Sequence, residues 1–329
     1  MFKKENRGLI PDNVQKQTLE TILEKLKDGS YIETPKSCLC GADDYEVIAT
    51  EDRYGIPFRT VICKQCGLIY ANPYYDDSTL NDFYQNFYRD LYSSGACTDE
   101  RFNSDVVRGK IIIKNIENVM QKKIERQKVY EIGCGSGALL FAFKNNGCDV
   151  FGCDYKTSWS EFGKQKGINI EEGSFQVLEK YGKADIIILS HIIEHIKDPV
   201  KFLSEISSLL LKENGILYII LPTIETIARN YSHNLFYYLQ NAHAYCFSKN
   251  TAKYIIEKSG LSTIHIIEKE GVFVAELMSA KLPQPQINKQ EYEKTMQILK
   301  RNEQIFKIKR IIFPILTTLS KIKRKILKR

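Results

Sequence analysis

Residues 131 to 137 read Glu-Ile-Gly-Cys-Gly-Ser-Gly directly after the apolar pair Val129-Tyr130, and Asp154 closes the next apolar stretch, Val150 to Cys153. Glycines where a strand turns into a helix let the backbone bend tightly and let a ligand approach with no Cβ in the way. Asp154 follows Gly133 by 21 positions, a spacing that suits an acid accepting hydrogen bonds from ribose hydroxyls. Gly133, Gly135 and Ala138 also satisfy the looser dinucleotide pattern, so the glycines alone leave NAD and S-adenosylmethionine both open. Glu131 shifts the balance. A carboxylate repels a pyrophosphate and attracts the cationic aminoacyl end of S-adenosylmethionine.

A second cluster reads Ser190-His191-Ile-Ile-Glu194-His195-Ile-Lys-Asp-Pro199, after the apolar run Asp185 to Leu189. Three of its residues can hold a proton or a metal. Histidine titrates near neutrality and suits the removal of an acceptor proton. His195 is one candidate base; His243, in Ala242-His-Ala-Tyr-Cys-Phe-Ser248, is the other. A divalent metal held by His191, Glu194, His195 and His243 is a chemical alternative. Glu194 has a structural alternative as the cap of a following helix.

Cys38-Leu-Cys40 and Cys63-Lys-Gln-Cys66-Gly67 form a third constellation, with 22 residues between Cys40 and Cys63. Two short turns at that separation bring four thiolates round one structural Zn²⁺. The first pair has one intervening residue where two are usual. Cys97, Cys134, Cys148, Cys153 and Cys246 lack such spacing and read as core thiols.

The elements that must position these residues alternate along the chain. Pro11 to Lys27 has helical apolar spacing and ends at Asp28-Gly29, and residues 76 to 102 carry Phe83, Tyr84, Phe87, Tyr88 and Tyr92 at helix-like intervals. From Ser104 onward the pattern predicts helix, strand, helix, strand: strands at 128–132, 149–153, 168–171, 185–190 and 216–221, helices at 137–146, 159–166 and 199–211 between them. Ile186 to Leu189 is apolar on both faces, as a strand covered by helices on each side requires. The fold class is α/β, a Rossmann-like, doubly wound, mostly parallel sheet. Helix 249–259 and strands 263–268 and 272–278 follow, and Leu282 to Gln286 reads as a linker. The expected division is an N-terminal helix over 1–35, a zinc-binding lid module over 36–102, the α/β domain over 103–281, and a linker with a basic helical tail over 282–329.

The 329 residues carry a formal charge of +7. Nine cations and no acid follow Phe306, so the remainder is close to −2 and has little to attract a polyanion. Ile308, Ile311, Ile312, Ile315, Leu319, Ile322 and Ile326 share one helical face among those cations. A membrane surface, the protein's own surface, a second copy or nucleic acid could each cover it, and Pro314 predicts a kink. No run reaches the length of a spanning helix, and the N-terminus lacks an apolar signal segment. With scattered cysteines, this predicts a reduced cytoplasmic protein whose membrane contact is peripheral, on the inner face.

Residues 129 to 154 resemble motif I and the following acidic motif of class I methyltransferases. The resemblance implies that Glu131 lies near the methionine moiety, that Gly133, Gly135 and Gly137 line S-adenosylmethionine, and that Asp154 holds the ribose. Tyr155, Ser174, Phe175 and Ser190 complete the expected cofactor set, with Phe175 flanking the adenine. Asp52-Arg-Tyr-Gly, Cys63 to Pro73, and Phe83 to Tyr92 resemble the zinc-containing front end of bacterial methyltransferases of sugar, polysaccharide and natural-product pathways. In such proteins the front end covers the cofactor and shapes the acceptor site, which makes Tyr88 and Tyr92 candidate pocket residues. Glu194-His195 resembles the Glu-His motif of many class I methyltransferases. Ubiquinone-pathway O-methyltransferases and small-RNA 3′-end methyltransferases carry a fuller, metal-binding Glu-x-x-Glu-His; here His191 replaces its first glutamate. The resemblance covers about residues 36 to 278. It implies O-methylation of a sugar hydroxyl on a surface glycan or its activated precursor. An RNA methyltransferase, or a non-catalytic scaffold at a membrane, are the rival readings.

Overall fold

The computed structural model describes residues 1–2, 9–92, 95–155, 157–278, 288 and 290–326, with side chains described as far as 312. In chain order the elements begin with α1 (Asn13–Lys27), β1 (Glu33–Thr34), β2 (Tyr45–Glu51), β3 (Pro57–Cys63), β4 (Ile69–Ala71), β5 (Tyr74–Tyr75), α2 (Asp77–Asn86) and α3 (Tyr88–Tyr92). Then come α4 (Asp99–Met120), β6 (Lys128–Ile132), α5 (Ala138–Asn145), β7 (Asp149–Asp154), α6 (Ser158–Gln165), β8 (Asn169–Glu172), β9 (Ala184–Ser190), α7 (Pro199–Leu210) and β10 (Leu211–Ile220). The chain closes with α8 (Ile227–Asn230), α9 (Leu235–Tyr238), β11 (Tyr245–Cys246), α10 (Lys249–Lys258), β12 (Leu261–Ile267), β13 (Val272–Leu277) and α11 (Glu291–Ile326).

Seven strands form the main sheet in the order β12-β13-β10-β9-β6-β7-β8. β8, β7, β6, β9 and β10 run parallel, and β13 lies antiparallel to both β10 and β12. Isoleucine and leucine at 186 to 189 are at most 2% exposed, which is why that segment reads as apolar on both faces. Strand order reverses between β6 and β9. In an open parallel sheet that reversal leaves a crevice at the carboxyl ends of the strands, and both sequence clusters end there.

Local chemistry sets the helix starts. Asp198 accepts from Lys201 N at 3.0 Å with Pro199 in the first helical position, so α7 begins where the second cluster ends. Ser248 and Thr251 form a capping box on α10, and Asp12 and Gln15 form one on α1. The amphipathic face expected on α1 is narrower than its sequence implies: Leu19 and Ile22 are buried, while Val14 and Leu23 face solvent.

The expected cut between 36–102 and 103–281 is crossed by packing. α4 starts at Asp99, and β11 pairs with β4 to complete the four-stranded sheet β11-β4-β3-β2. Linker residues 282–286 lie outside the described residues. α11 is longer than the sequence implied, beginning at Glu291 and running through Pro314. Its first turns are docked. Ser248 Oγ and Asn250 Nδ2 each donate to Glu291 at 2.7 Å, Tyr292 donates to Glu46 at 2.6 Å, and Met296 and Leu299 are buried against Ile48, Ile62 and Ile69.

Gly67, in the turn after Cys66, has φ +70°, and a Cβ there would stand 2.7 Å from the backbone of Glu291. Gly67→Ala should therefore cost about 1–3 kcal/mol through strain and lost docking. Hydrogen exchange should show the loss concentrated in the first turns of α11.

Candidate active site and cysteine cluster

The loop from β6 to α5 bends through three left-handed glycines, Gly133 (φ 70°), Gly135 (φ 54°) and Gly137 (φ 65°). A Cβ on Gly133 would meet Ile192 at 2.2 Å, whereas one on Gly135 would meet nothing nearer than 3.9 Å. Gly133 is thus a packing glycine, and Gly135 faces the open crevice. Asp154 holds the loop: Gly135 N–H donates to Oδ2 at 2.5 Å and Tyr155 N–H to Oδ1 at 2.7 Å. No side chain caps the N-terminus of α5, which leaves backbone donors at Ala138 and Leu139 on the crevice wall.

A cavity of about 390 Å³ occupies the crevice, lined by Glu131, Gly133, Gly135, Asp154, Tyr155, Ser174, Ser190, His191 and His195 among others. Glu131 is 3% exposed, and its Oε2 has no hydrogen-bond partner among the described residues. Burial holds its carboxyl well above the usual range, opposed by the Arg108 guanidinium. Burial also raises Asp154, with Arg89 pulling the other way. Both carboxyls would gain from a bound cation or hydrogen-bond donor.

Two expectations are corrected. Phe175 does not flank the cavity; it is 3% exposed and packs edge-on against Phe202 at 5.7 Å, because a short helical turn from Phe175 to Tyr181 directs it into the core. Its neighbours Gly173 and Ser174 line the cavity instead. Tyr92 is likewise withdrawn, since its hydroxyl is held by Asp52 at 3.3 Å and by Asn241. Tyr88 does reach the wall.

Sequence reasoning missed Arg89 and Trp159. Arg89, on α3, pairs with Asp154 Oδ2 at 3.5 Å and lies 5.2 Å above the Trp159 ring. An arginine beside Tyr88 in an aromatic helix and the chain's one tryptophan just after the acidic strand were the available signals. Asp105 and Arg108 of α4 also line the cavity as a 2.9 Å ion pair, with no spacing in the sequence to mark them.

His195 stands on the cavity wall, and its Nδ1 lies 2.9 Å from the Tyr84 hydroxyl and 3.1 Å from the Ala242 carbonyl. A carbonyl only accepts, so Nδ1 carries the proton and Nε2 keeps its lone pair. Burial lowers the His195 pKa, with Glu194 opposing it. His243 lies behind His195, ring to ring at 4.8 Å, and is 4% exposed. Burial drives its pKa far down, so it is a neutral wall of the site and has no access to the cavity. His191 is half exposed at φ 57°, with Nδ1 3.4 Å from Glu194 Oε1. Ligand atoms of Glu194, His195 and His243 lie within 4.8 Å of one another. Both Glu194 oxygens and His243 Nδ1 lack hydrogen-bond partners among the described residues. That donor set offers a divalent cation three ligand atoms, an arrangement that would take up the His195 Nε2 lone pair and so stands as the alternative to His195 acting as a base. Asp198, and not Glu194, caps α7.

The four predicted zinc ligands converge: Cys38 Sγ and Cys66 Sγ are 3.4 Å apart, Cys40 and Cys63 3.7 Å, and all four lie within 4.8 Å. A tetrahedral site with Zn–S of about 2.3 Å has sulfur–sulfur edges of about 3.8 Å, so the arrangement fits the ion and the single-residue spacing of Cys38-Leu-Cys40 does not prevent it. The other five cysteines are free and buried, as core thiols.

Comparison with known proteins falls on this half of the chain. Residues 107–266 match the family model described as a methyltransferase domain. Over this stretch the chain is similar to methyltransferase domains. Ubiquinone biosynthesis O-methyltransferase of Pelagibacter ubique is 34% identical over 104 residues, 30% of this chain and 43% of that protein. Its namesake in Coxiella burnetii (strain RSA 493 / Nine Mile phase I) is 30% identical over 134 residues, 37% of this chain and 55% of that one. The chain thus spans about half the length of the curated relatives it matches. Magnesium protoporphyrin IX methyltransferase from Synechocystis PCC 6803, solved with bound SAH, shares 16% identity over 62% of this chain and 100% of that chain, with a TM-score of 0.43.

Asp154→Ala should weaken S-adenosylmethionine binding about 10- to 100-fold, the worth of hydrogen bonds to a charged group, as read by calorimetry. Purified protein should contain close to one zinc per chain by elemental analysis, and Cys63→Ser should lower both zinc content and thermal midpoint.

Proposed function

We propose that the protein transfers the methyl group of S-adenosylmethionine to an acceptor hydroxyl. One observation carries this reading: Glu131, Asp154 and His195 line one crevice, and the Ala242 carbonyl at His195 Nδ1 leaves the Nε2 lone pair as the base. Glu131 attracts the aminoacyl ammonium, the donors of α5 receive its carboxylate, and Asp154 accepts from the ribose hydroxyls. The acceptor oxygen attacks the methyl carbon as the carbon–sulfur bond breaks. The sulfonium leaves as the neutral thioether of S-adenosylhomocysteine, and the acceptor proton passes to His195 Nε2. Tyr84 and Ala242 fix the ring for that transfer, and the protein's main contribution is alignment.

The acceptor route is a groove of about 500 Å³ that shares Tyr84, Tyr155, His195, Ile196 and Phe202 with the cofactor cavity and opens past Asp77, Asp198 and Lys201. Aromatic faces beside polar groups suit the sugar hydroxyl of a glycan or its activated precursor. The named relatives favour a second reading, in which the hydroxyl belongs to a ubiquinone-pathway acceptor. Near-neutral charge outside the tail argues against RNA as the acceptor. The zinc is structural in this reading, stapling the front module, and the protein works in the cytoplasm.

His195→Ala should lower kcat about 10²- to 10⁴-fold while leaving S-adenosylmethionine affinity within about twofold. S-adenosylhomocysteine release, measured with nucleotide-sugar and phenolic acceptors in parallel, separates the two acceptor classes. An unchanged kcat in the variant removes His195 from the chemistry.

A further inference from the structure

The methyl-transfer reading leaves the end of α11 unused. Its first turns are fixed to the body by Glu291, Tyr292, Met296 and Leu299, and the helix continues to Ile326. Past the docked part, Ile308, Ile311 and Ile312 are 55%, 68% and 46% exposed. Three large apolar side chains on one face of the helix are costly to leave in water. The sequence continues that face through Ile315, Leu319, Ile322 and Ile326 and surrounds it with nine cations and no acid after Phe306. Among the described residues no helix is long and apolar enough to cross a membrane.

We propose that this segment is an in-plane anchor for an anionic lipid bilayer, laying its isoleucine face among the acyl chains with its lysines and arginines against the headgroups. Charge complementarity selects the occupant. A second copy of the same helix would bring nine cations against nine, and a nucleic acid would satisfy the cations but leave the isoleucine ridge in water. A bilayer with acidic headgroups satisfies both, and each cation near such a surface adds to the attraction. Because the start of α11 is seated on the cysteine-cluster turn at Gly67 and on the cap of α10, the anchor is coupled to the front module and holds the domain at a set orientation to the surface. An acceptor carried on a lipid would then be met without leaving the bilayer.

The test uses the full chain and sedimentation with vesicles of phosphatidylcholine alone, or of phosphatidylcholine with about one third phosphatidylglycerol. The protein should pellet with the anionic vesicles at least about tenfold more than with the neutral ones, and lose this on raising salt. The double variant Ile311→Glu, Ile312→Glu should abolish pelleting while cofactor binding and thermal midpoint stay as in the parent, which shows that the body is intact. A second variant, Lys323→Gln with Arg324→Gln and Lys325→Gln, should reduce pelleting without altering the apolar face. Equal pelleting with both vesicle types, or pelleting retained by the Ile311/Ile312 variant, overturns the proposal. So does a soluble protein that ignores vesicles but binds a short RNA or forms dimers through the same isoleucines.

Discussion

Two carboxyl groups buried at the carboxyl end of a parallel sheet govern the rest of the molecule. Glu131 and Asp154 are 3% and 9% exposed, and burial raises both pKa values. A buried acid without a partner is a standing cost, and a fold keeps it where a ligand repays that cost. Asp154 is partly satisfied by the loop it organises, through Gly135 N–H and Tyr155 N–H. Glu131 keeps a buried oxygen without a hydrogen-bond partner among the described residues, and this asymmetry underlies the proposed placing of a cation next to Glu131 and of hydroxyl donors next to Asp154.

The front module matters to that site because its packing closes it. α2 and α3 bring Tyr84, Tyr88 and Arg89 over the crevice, and Arg89 reaches Asp154 itself. Nothing in α2 and α3 is long enough to stand alone, and they pack with α1 and with Ile56, in the turn between β2 and β3 of the four-stranded sheet. That sheet is in turn completed by β11 and covered by the start of α11, both from far along the chain. Front sheet, lid and the start of the C-terminal helix thus pack as one unit against the α/β domain. Its continuity is why the division into separate modules at residue 102 has no counterpart in the core.

Much of this was legible in the sequence. Strand β6 has the bounds read from its apolar pattern, and β7, β8, β9 and the helices between them differ by a residue or two, because strands buried on both faces leave an unambiguous signature. The cysteine pairs declared their meeting in spite of an irregular first pair. Pairings between distant segments were not legible: β11 is two residues long, and its partner β4 lies more than 170 positions earlier. Orientation was the other loss. Phe175 sits beside the right strand end but turns inward, and Arg89 was invisible because its meaning depends on where α3 packs. The second histidine, His243, was drawn to the right place and given an access that burial denies it.

The ionisation of Glu131 offers the most direct test of the account. Burial raises the Glu131 pKa and a cation bound beside it lowers it again, so binding favours release of the carboxyl proton. Calorimetric titration of S-adenosylmethionine in two buffers of different ionisation enthalpy measures that release. The expected result is one-to-one binding with net proton release, both diminished in Glu131→Gln, and no binding of NAD. An absence of S-adenosylmethionine binding, or binding and proton release that are the same in Glu131→Gln as in the parent, would contradict it.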